Sequence, residues 1–163
     1  MRKAIAILAG LAVLLVVNLG IWGRERLLTE GEVVLLRLSP VDPRSLMQGD
    51  YMRLNFEVAD EAFPRVPRRD FADGRIVVAL DANGVATFRR FDDGRALGPD
   101  ERALRYRVRA GRPRFATDAF FFEEGRAKAF EKAAYGEFRV DRDGEMILTG
   151  LRDERLRLLG EGV

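Results

Sequence analysis

Charged and phenolic side chains between residues 40 and 56 form the first group that could do chemistry. Pro40 and Pro43 constrain the backbone of this stretch, so its side chains are held on a rigid loop. An acid, a guanidinium and a phenol presented together can recognise a partner surface. The predicted recognition edge consists of Asp42, Arg44, Asp50, Tyr51 and Arg53. A purely structural interpretation stays open, in which Asp42 and Asp50 cap turns and Arg44 pairs with one of them.

A second group consists of arginines at every second position. Arg105, Arg107 and Arg109 fall on one face of a predicted strand, because side chains alternate along a strand. Such a face could hold an anionic polymer or lipid head groups. The alternative is a solvated sheet face neutralised by scattered acids, and the overall charge balance favours it. Further arginines on neighbouring segments are Arg89, Arg90, Arg112 and Arg114.

The composition excludes several kinds of active site. The chain has no cysteine and no histidine, which rules out thiol catalysis, disulfides, imidazole bases and zinc sites. The sequence Asp141-x-Asp143-Gly144-Glu145 resembles the start of a calcium loop. Its glycine is fourth rather than sixth, however, so a hairpin turn is the better interpretation. We expect no metal and no cofactor.

A hydrolase is the weakest functional hypothesis. The serines are Ser39 and Ser45, and the lysines beyond position 3 are Lys128 and Lys132, so a Ser-Lys dyad is arithmetically possible. Both lysines suit the end of a helix, and the chain offers no acid whose pKa the sequence would raise. We therefore expect no catalytic activity.

The charge balance argues against a nucleic-acid partner. Lysine and arginine total 28 against 26 acids, but Arg2 and Lys3 precede the long apolar run, so the remainder is 26 against 26. Nucleic-acid binding requires a clustered positive excess rather than a balance.

The apolar run at residues 4–22 predicts a transmembrane signal anchor over residues 1–23. It has nineteen uncharged residues, near the ~20 that a membrane-spanning helix needs, and it ends at Trp22, where an interfacial aromatic residue belongs. No Ala-x-Ala-like cleavage site follows, so we expect the segment to be retained in the bilayer. Arg2 and Lys3 favour an amino terminus inside the cell. Residues 24–31 are predicted to be a juxtamembrane linker.

Residues 32–160 are predicted to form one β-rich domain. Alternation after Gly49 places Met52, Leu54, Phe56 and Val58 on the buried face of a strand. Prolines predict a loop over 60–73, and the spacing of apolar residues predicts a helix beginning at Glu123 or after Gly125 and ending at Gly136. A further strand, expected to be central in its sheet, is predicted at 33–38. Predicted hairpins are 76–80 with 85–91 around Asn83-Gly84, 104–108 with 114–117, and 138–140 with 146–149.

These elements amount to seven to nine short strands with one short helix. The predicted fold class is therefore mainly β, or β-rich α+β. It is an antiparallel sandwich or small barrel with the helix across one end or edge, preceded by one N-terminal transmembrane helix.

The segment Gly49-Asp50-Tyr51-x-x-Leu54-x-Phe56 resembles the signature of the GDYXXLXY family of bacterial membrane-anchored proteins, with Phe56 in place of the last Tyr. The sequences PVDPR at 40–44 and FFFEEG at 120–125 are similar to that family too, and the resemblance covers most of residues 30–155. It implies a single membrane anchor, a small β-rich domain outside, no established activity, and genes that often lie beside those of multi-pass membrane proteins.

The leading functional hypothesis is a membrane-tethered extracytoplasmic accessory domain. It would dock on a multi-pass membrane protein through the 40–56 loop and strand, with residues 4–22 in the bilayer. The expected location is the bacterial inner (cytoplasmic) membrane, single-pass, with the domain in the periplasm or extracytoplasmic space. The alternative is an envelope binding module for an anionic ligand, with a hydrolase third. No signal for an oligomeric state is visible.

Overall fold

The computed structural model describes residues 2–39, 47–48, 51–64 and 72–160. Within them, a long helix α1 (Arg2–Glu30) precedes ten strands and two short helices, α2 (Glu57–Ala62) and α3 (Ala127–Phe130). The strands are β1 (Glu32–Arg37), β2 (Met47–Gln48), β3 (Tyr51–Arg53), β4 (Gly74–Leu80), β5 (Ala86–Phe91), β6 (Glu101–Arg109), β7 (Arg112–Phe115), β8 (Ala119–Phe121), β9 (Tyr135–Val140) and β10 (Met146–Arg152).

Helix α1 is long and apolar enough to cross a membrane over Ile7–Glu30. It extends beyond the predicted anchor, so residues 24–30 are helical and end in an Arg26–Glu30 ion pair of 2.8 Å. Leu27 in the last turn is buried, and the Gly31 N–H donates to the Leu27 carbonyl over 3.0 Å. The Arg139 guanidinium donates to the Gly31 carbonyl over 2.9 Å. The helix therefore passes directly into β1 and is held against β9.

The strands form antiparallel sheets that curl into a half barrel, which confirms the predicted fold class. Their orders are β1-β9-β10, β2-β3-β8 and β5-β4-β6-β7. Two backbone contacts join the first sheet to the last: Leu35 N–H donates to the Gly84 carbonyl over 2.9 Å, and Arg105 N–H donates to the Gly144 carbonyl over 2.8 Å. Strand β1, predicted to be central, lies at the end of its own ladder, and its outer edge meets the β4–β5 turn at a Leu35–Val85 bridge.

All three predicted hairpins are present, with turn chemistry that differs between them. At β4–β5, Gly84 has φ +79° whereas Asn83 does not have a positive φ, and Asp81 Oδ1 accepts the N–H groups of Asn83 and Val85. At β6–β7, Ala110 and Gly111 both have positive φ, at 51° and 72°. Two successive positive values are typical of a type I′ turn, which matches the twist of the flanking strands.

The core lies between the inner faces of the sheets. Each large side chain removed from water there contributes about 1.5–3 kcal/mol of transfer free energy. The fully buried large side chains include Phe138, Leu36, Ile76, Leu104 and Leu151.

The stretch after Gly49 confirms the predicted burial but not the full strand. Met52, Leu54 and Phe56 are buried, yet β3 ends at Arg53 and α2 begins at Glu57. Val58 is buried as a helical residue instead of a strand residue. The predicted 60–73 loop thus begins inside a helix, and residues 65–71 lie outside the described residues.

The predicted helix over residues 123–135 is reduced to the single turn of α3. Gly125 has φ +82°, which interrupts a helix ahead of Ala127, and β9 already begins at Tyr135. Gly136 is therefore not a helix stop. It lies inside β9, where a Cβ would come within 3.0 Å of the rings of Phe56 and Phe138. Close packing requires the glycine at this position.

Candidate functional site

The predicted recognition edge is described at two of its five residues. Tyr51 and Arg53 lie on β3, in the middle of the β2-β3-β8 sheet, and Met52 between them is 2% exposed. Tyr51 and Arg53 therefore share the outer face of the strand. Asp42, Arg44 and Asp50 lie outside the described residues, and their placement stays a prediction.

An aromatic pair of one partly exposed and one exposed ring lies on this outer face. The Tyr51 and Phe121 rings are paired across β3 and β8, with centroids 5.7 Å apart. Phe121 is 75% exposed, whereas Phe120 and Phe122 on either side pack against Phe130 with centroids 5.0 and 5.3 Å away. The sequence FFF thus divides into two rings that stabilise the domain and one that faces solvent.

A cleft of about 970 Å³ lies between the segment following β3 and strand β7. Its apolar walls include Phe56, Phe63 and Phe115. Its polar lining includes three guanidiniums, at Arg53, Arg112 and Arg114, together with the carboxylates of Asp60 and Asp118. The cleft is thus amphipathic.

Both acids of this cleft are already engaged. The Ser39 hydroxyl donates to Asp60 Oδ2 over 2.6 Å, and Asp118 pairs with Arg114. Arg53 and Arg112 have no acidic partner within salt-bridge distance in the part of the chain that the structure describes. Two exposed guanidiniums therefore line the cleft with hydrogen-bond donors that no acid of the described residues uses.

The arginine row lies on β6 as predicted, and the pairing of β6 with β4 and β7 places further arginines beside it. Arg105, Arg107 and Arg109 are exposed and lie directly opposite Arg75, Arg114 and Arg112, respectively. Unlike the cleft pair, the row has acids beside it. Glu145 pairs with Arg105 and, at 3.1 Å, with Arg107, while Asp73 lies 3.8 Å from Arg109.

A family model described as GDYXXLXY protein matches residues 13–151. The chain belongs to the GDYXXLXY family. The match runs from within α1 to Leu151 in β10, so it includes both the signature strand and the cleft beside it. No curated protein and no solved structure matches the chain.

In this GDYXXLXY protein, the electrostatics of the arginine row are set by Glu145. Desolvation alone would raise the pKa of the Glu145 carboxyl, but hydrogen bonds and charge from Arg105 and Arg107 hold the pKa below its ordinary value. The same contact raises the pKa of the Arg105 guanidinium. The carboxylate is therefore ionised at neutral pH and offsets part of the positive charge of the row.

The serines of the Ser-Lys hypothesis are described in part. The Ser39 hydroxyl donates a hydrogen bond to Asp60 Oδ2, and Ser45 lies outside the described residues. Among residues 2–39, 47–48, 51–64 and 72–160, no group of three or more acids could hold a metal ion. What the described part of the site offers is recognition chemistry, in the form of aromatic rings and guanidiniums.

The cleft and its use of Arg112 were missed by sequence reasoning, which treated Arg112 only as a neighbour of the arginine row. The signal was available in part. A two-residue turn at Ala110-Gly111 sets Arg112 opposite Arg109. The approach of β7 to the signature segment, however, links residues about sixty positions apart, and no local pattern encodes it.

Proposed function

We propose that this chain is a membrane-tethered accessory protein whose β-rich domain docks on a multi-pass membrane protein. Helix α1 would anchor it in the bacterial cytoplasmic membrane, with the amino terminus inside and the domain in the periplasm or extracytoplasmic space. The observation that carries the proposal is the solvent-facing Phe121 ring on β8, which packs against the partly exposed Tyr51 of the family's signature strand β3.

Exposure of Phe121 is costly unless something covers it. A free ring leaves apolar area in water at about 25 cal/mol per Å², and aromatic residues dominate the energetics of protein interfaces. The two rings stand on neighbouring, hydrogen-bonded strands. Met52, which follows Tyr51 on β3, is buried in the core, so the backbone that carries the pair has little conformational freedom. A rigid aromatic pair can dock at low entropic cost.

The junction between helix and domain supports a partner in the same membrane. Helix α1 runs into β1 without a flexible connection, because Leu27 is buried and Gly31 is held by Arg139. In this proposal, the domain is presented at a limited set of orientations above the bilayer. Restricting the orientations of the domain in this way raises its effective concentration at the surface of a neighbouring membrane protein.

The docking test uses the full chain, purified in mild detergent from cells after cross-linking. Wild type should recover a multi-pass membrane protein, and Phe121→Ala should reduce that recovery by about tenfold or more, because aromatic anchors cost ~2 kcal/mol or more when truncated. Leu97→Ala is the matched control, since Leu97 is a 41% exposed apolar side chain away from the signature. Equal recovery from both variants, or no membrane protein in any sample, would refute the docking proposal.

Topology has a separate test. Reporter fusions after residue 163 should be active only outside the cytoplasm, and the purified protein should retain α1. Activity confined to the cytoplasm would overturn the proposed orientation, and a mature protein that begins beyond Trp22 would overturn the anchor.

A second candidate function is binding of an anionic ligand on the arginine row. The observation in its favour is that β4, β6 and β7 place arginine directly opposite arginine at three positions, and such like-charge pairs destabilise a sheet. Reversing Arg105, Arg107 and Arg109 to glutamate should then abolish retention on an anionic matrix at low salt. Glu145 and Asp73 weigh against this candidate, because they already pair with the row.

A further inference from the structure

The outer edge of β7 restricts how the cleft can be filled. The Val108 N–H donates to Asp73 Oδ1 over 2.7 Å, so it is not used between β6 and β7, and Val108 lies opposite Pro113. Pro113 and its neighbours therefore form a strand edge from which one N–H donor is missing. Strand addition is disfavoured there, and a ligand must be held by side chains.

The side chains available are Arg53 on one wall and Arg112 on the other. Both are exposed, both line the cleft, and neither has an acidic partner among the described residues. Guanidiniums prefer carboxylate or phosphate, which accept two parallel hydrogen bonds from one arginine. The rings of Phe56 and Phe115 add apolar wall to the same cleft.

The anion could come from a lipid head group or from a protein carboxylate, and the position of the cleft along β6 distinguishes the two. The first three residues of β6, 101–103, line a cavity together with Trp22 and Leu27 of α1. At its other end, β6 is followed closely by residues 111–115, which form one wall of the cleft. At about 3.3 Å per residue the two ends of this strand are roughly 26 Å apart. The cleft thus lies away from the anchor, which favours a protein carboxylate over a lipid head group.

We propose that the cleft binds an acidic peptide segment, with its carboxylates accepting hydrogen bonds from Arg53 and Arg112. This inference rests on the proposed docking function, and it names an acidic segment as the part of the partner that enters the cleft. The Phe121 ring, packed against Tyr51 on the outer face of the β2-β3-β8 sheet, supplies a second contact.

The direct test measures binding of a fluorescein-labelled hexaglutamate peptide to the full chain in neutral detergent, with hexaglutamine as the uncharged probe. Hexaglutamate should bind and hexaglutamine should not. Arg53→Gln and Arg112→Gln should each weaken binding by about tenfold, the loss expected for a charge-assisted hydrogen bond. Arg89→Gln removes the same charge from an exposed arginine on β5 outside the cleft, and it should change binding by less than about twofold.

Three results would overturn the inference. An equal loss of hexaglutamate binding in Arg53→Gln and Arg89→Gln would mean that the peptide is attracted by the overall positive charge and not by the cleft. Binding of hexaglutamate that is unchanged by both cleft variants would place the peptide elsewhere. Retention on phosphatidylglycerol vesicles that exceeds peptide binding and depends on Arg53 and Arg112 would make the cleft a lipid site.

The membrane-protein recovery assay separates this inference from the docking proposal. If Phe121→Ala loses the partner while the Arg53→Gln, Arg112→Gln double variant keeps it, docking stands and the acidic-segment inference fails. If hexaglutamate binding depends on both arginines and no membrane protein is recovered, the cleft stands as a carboxylate site and the docking proposal fails.

Discussion

The arginine row of β6 and the arginine pair of the cleft differ in what surrounds them, although Arg112 of the pair lies on β7, the strand beside β6. Arg105 and Arg107 contact Glu145, whereas Arg53 and Arg112 have no acid within salt-bridge distance among the described residues. Three arginines in alternation make the more visible sequence pattern. The two scattered arginines are the ones that no described acid offsets. The location of the acids, rather than the number of arginines, distinguishes the two regions.

The difference arises from a hairpin turn that is distant in sequence. Asp141 Oδ1 accepts the N–H groups of Asp143 and Glu145, and the Gly144 carbonyl accepts Arg105 N–H, so the turn places Glu145 beside the row. The cleft has no equivalent, because its own acids are committed to Ser39 and Arg114.

Gly144→Ala should have the largest effect on this comparison. Gly144 has φ +82°, and a Cβ would lie 2.9 Å from the Ala103 carbonyl oxygen, so strain and a clash coincide. We expect a loss of about 2–4 kcal/mol in the free energy of unfolding, measured by denaturant titration of the full chain in detergent.

Gly94→Ala is the matched control, because Gly94 has φ +79° with nothing within 4 Å of its Cβ position. Left-handed strain alone should cost only about 1 kcal/mol there. Equal losses at the two glycines would show that the Gly144 turn is not held against β6.

Glu145→Gln should have an intermediate effect, because it leaves two guanidiniums of the row without their acid. These groups are partly exposed, so we expect a loss of about 0.5–1 kcal/mol. The folded pKa of Glu145 lies below its ordinary 4.5. Its contribution should therefore be complete above pH 4.5 and disappear as the pH falls through the folded pKa.

The measurement is the unfolding free energy of wild type and variant from pH 7 downward, and the two curves should converge as the pH falls below the folded pKa of Glu145. Glu131→Gln is the control, since Glu131 is exposed and has no ion pair in the described part of the chain. Parallel curves for wild type and Glu145→Gln would contradict the assigned pairing.

Arg112→Gln should have the smallest effect on stability. Arg112 has no acidic partner among described residues and lies opposite Arg109, so its removal should change the unfolding free energy by less than about 0.5 kcal/mol, toward greater stability. Arg107→Gln, which removes a partner of Glu145, should be the more destabilising of the two. A larger loss for Arg112→Gln would show that the cleft arginine stabilises the fold.

Local patterns predicted most of the sheet structure. Alternation identified the buried face at Met52, Leu54 and Phe56, and the glycine-containing turns identified all three hairpins. Of the two predicted helix starts, the one after Gly125 is correct, because the positive φ of Gly125 precludes the earlier one. The predicted end at Gly136 is wrong, because the helix ends at Phe130 and β9 begins at Tyr135. Helix α2 was missed because the alternation continued to Val58, which is buried in either conformation.

The sequence by itself determined a membrane-compatible helix, an antiparallel β-rich domain, the family signature and the face on which Arg105, Arg107 and Arg109 lie. These features depend on periods of two or of 3.6 residues and on turn residues, all of which are local. Only the tertiary structure decided that Glu145 offsets part of the charge of the row and that Arg53 and Arg112 line one cleft. Charge pairing depends on distances of a few ångströms between segments that are far apart in the chain, and those distances are set by sheet order and packing.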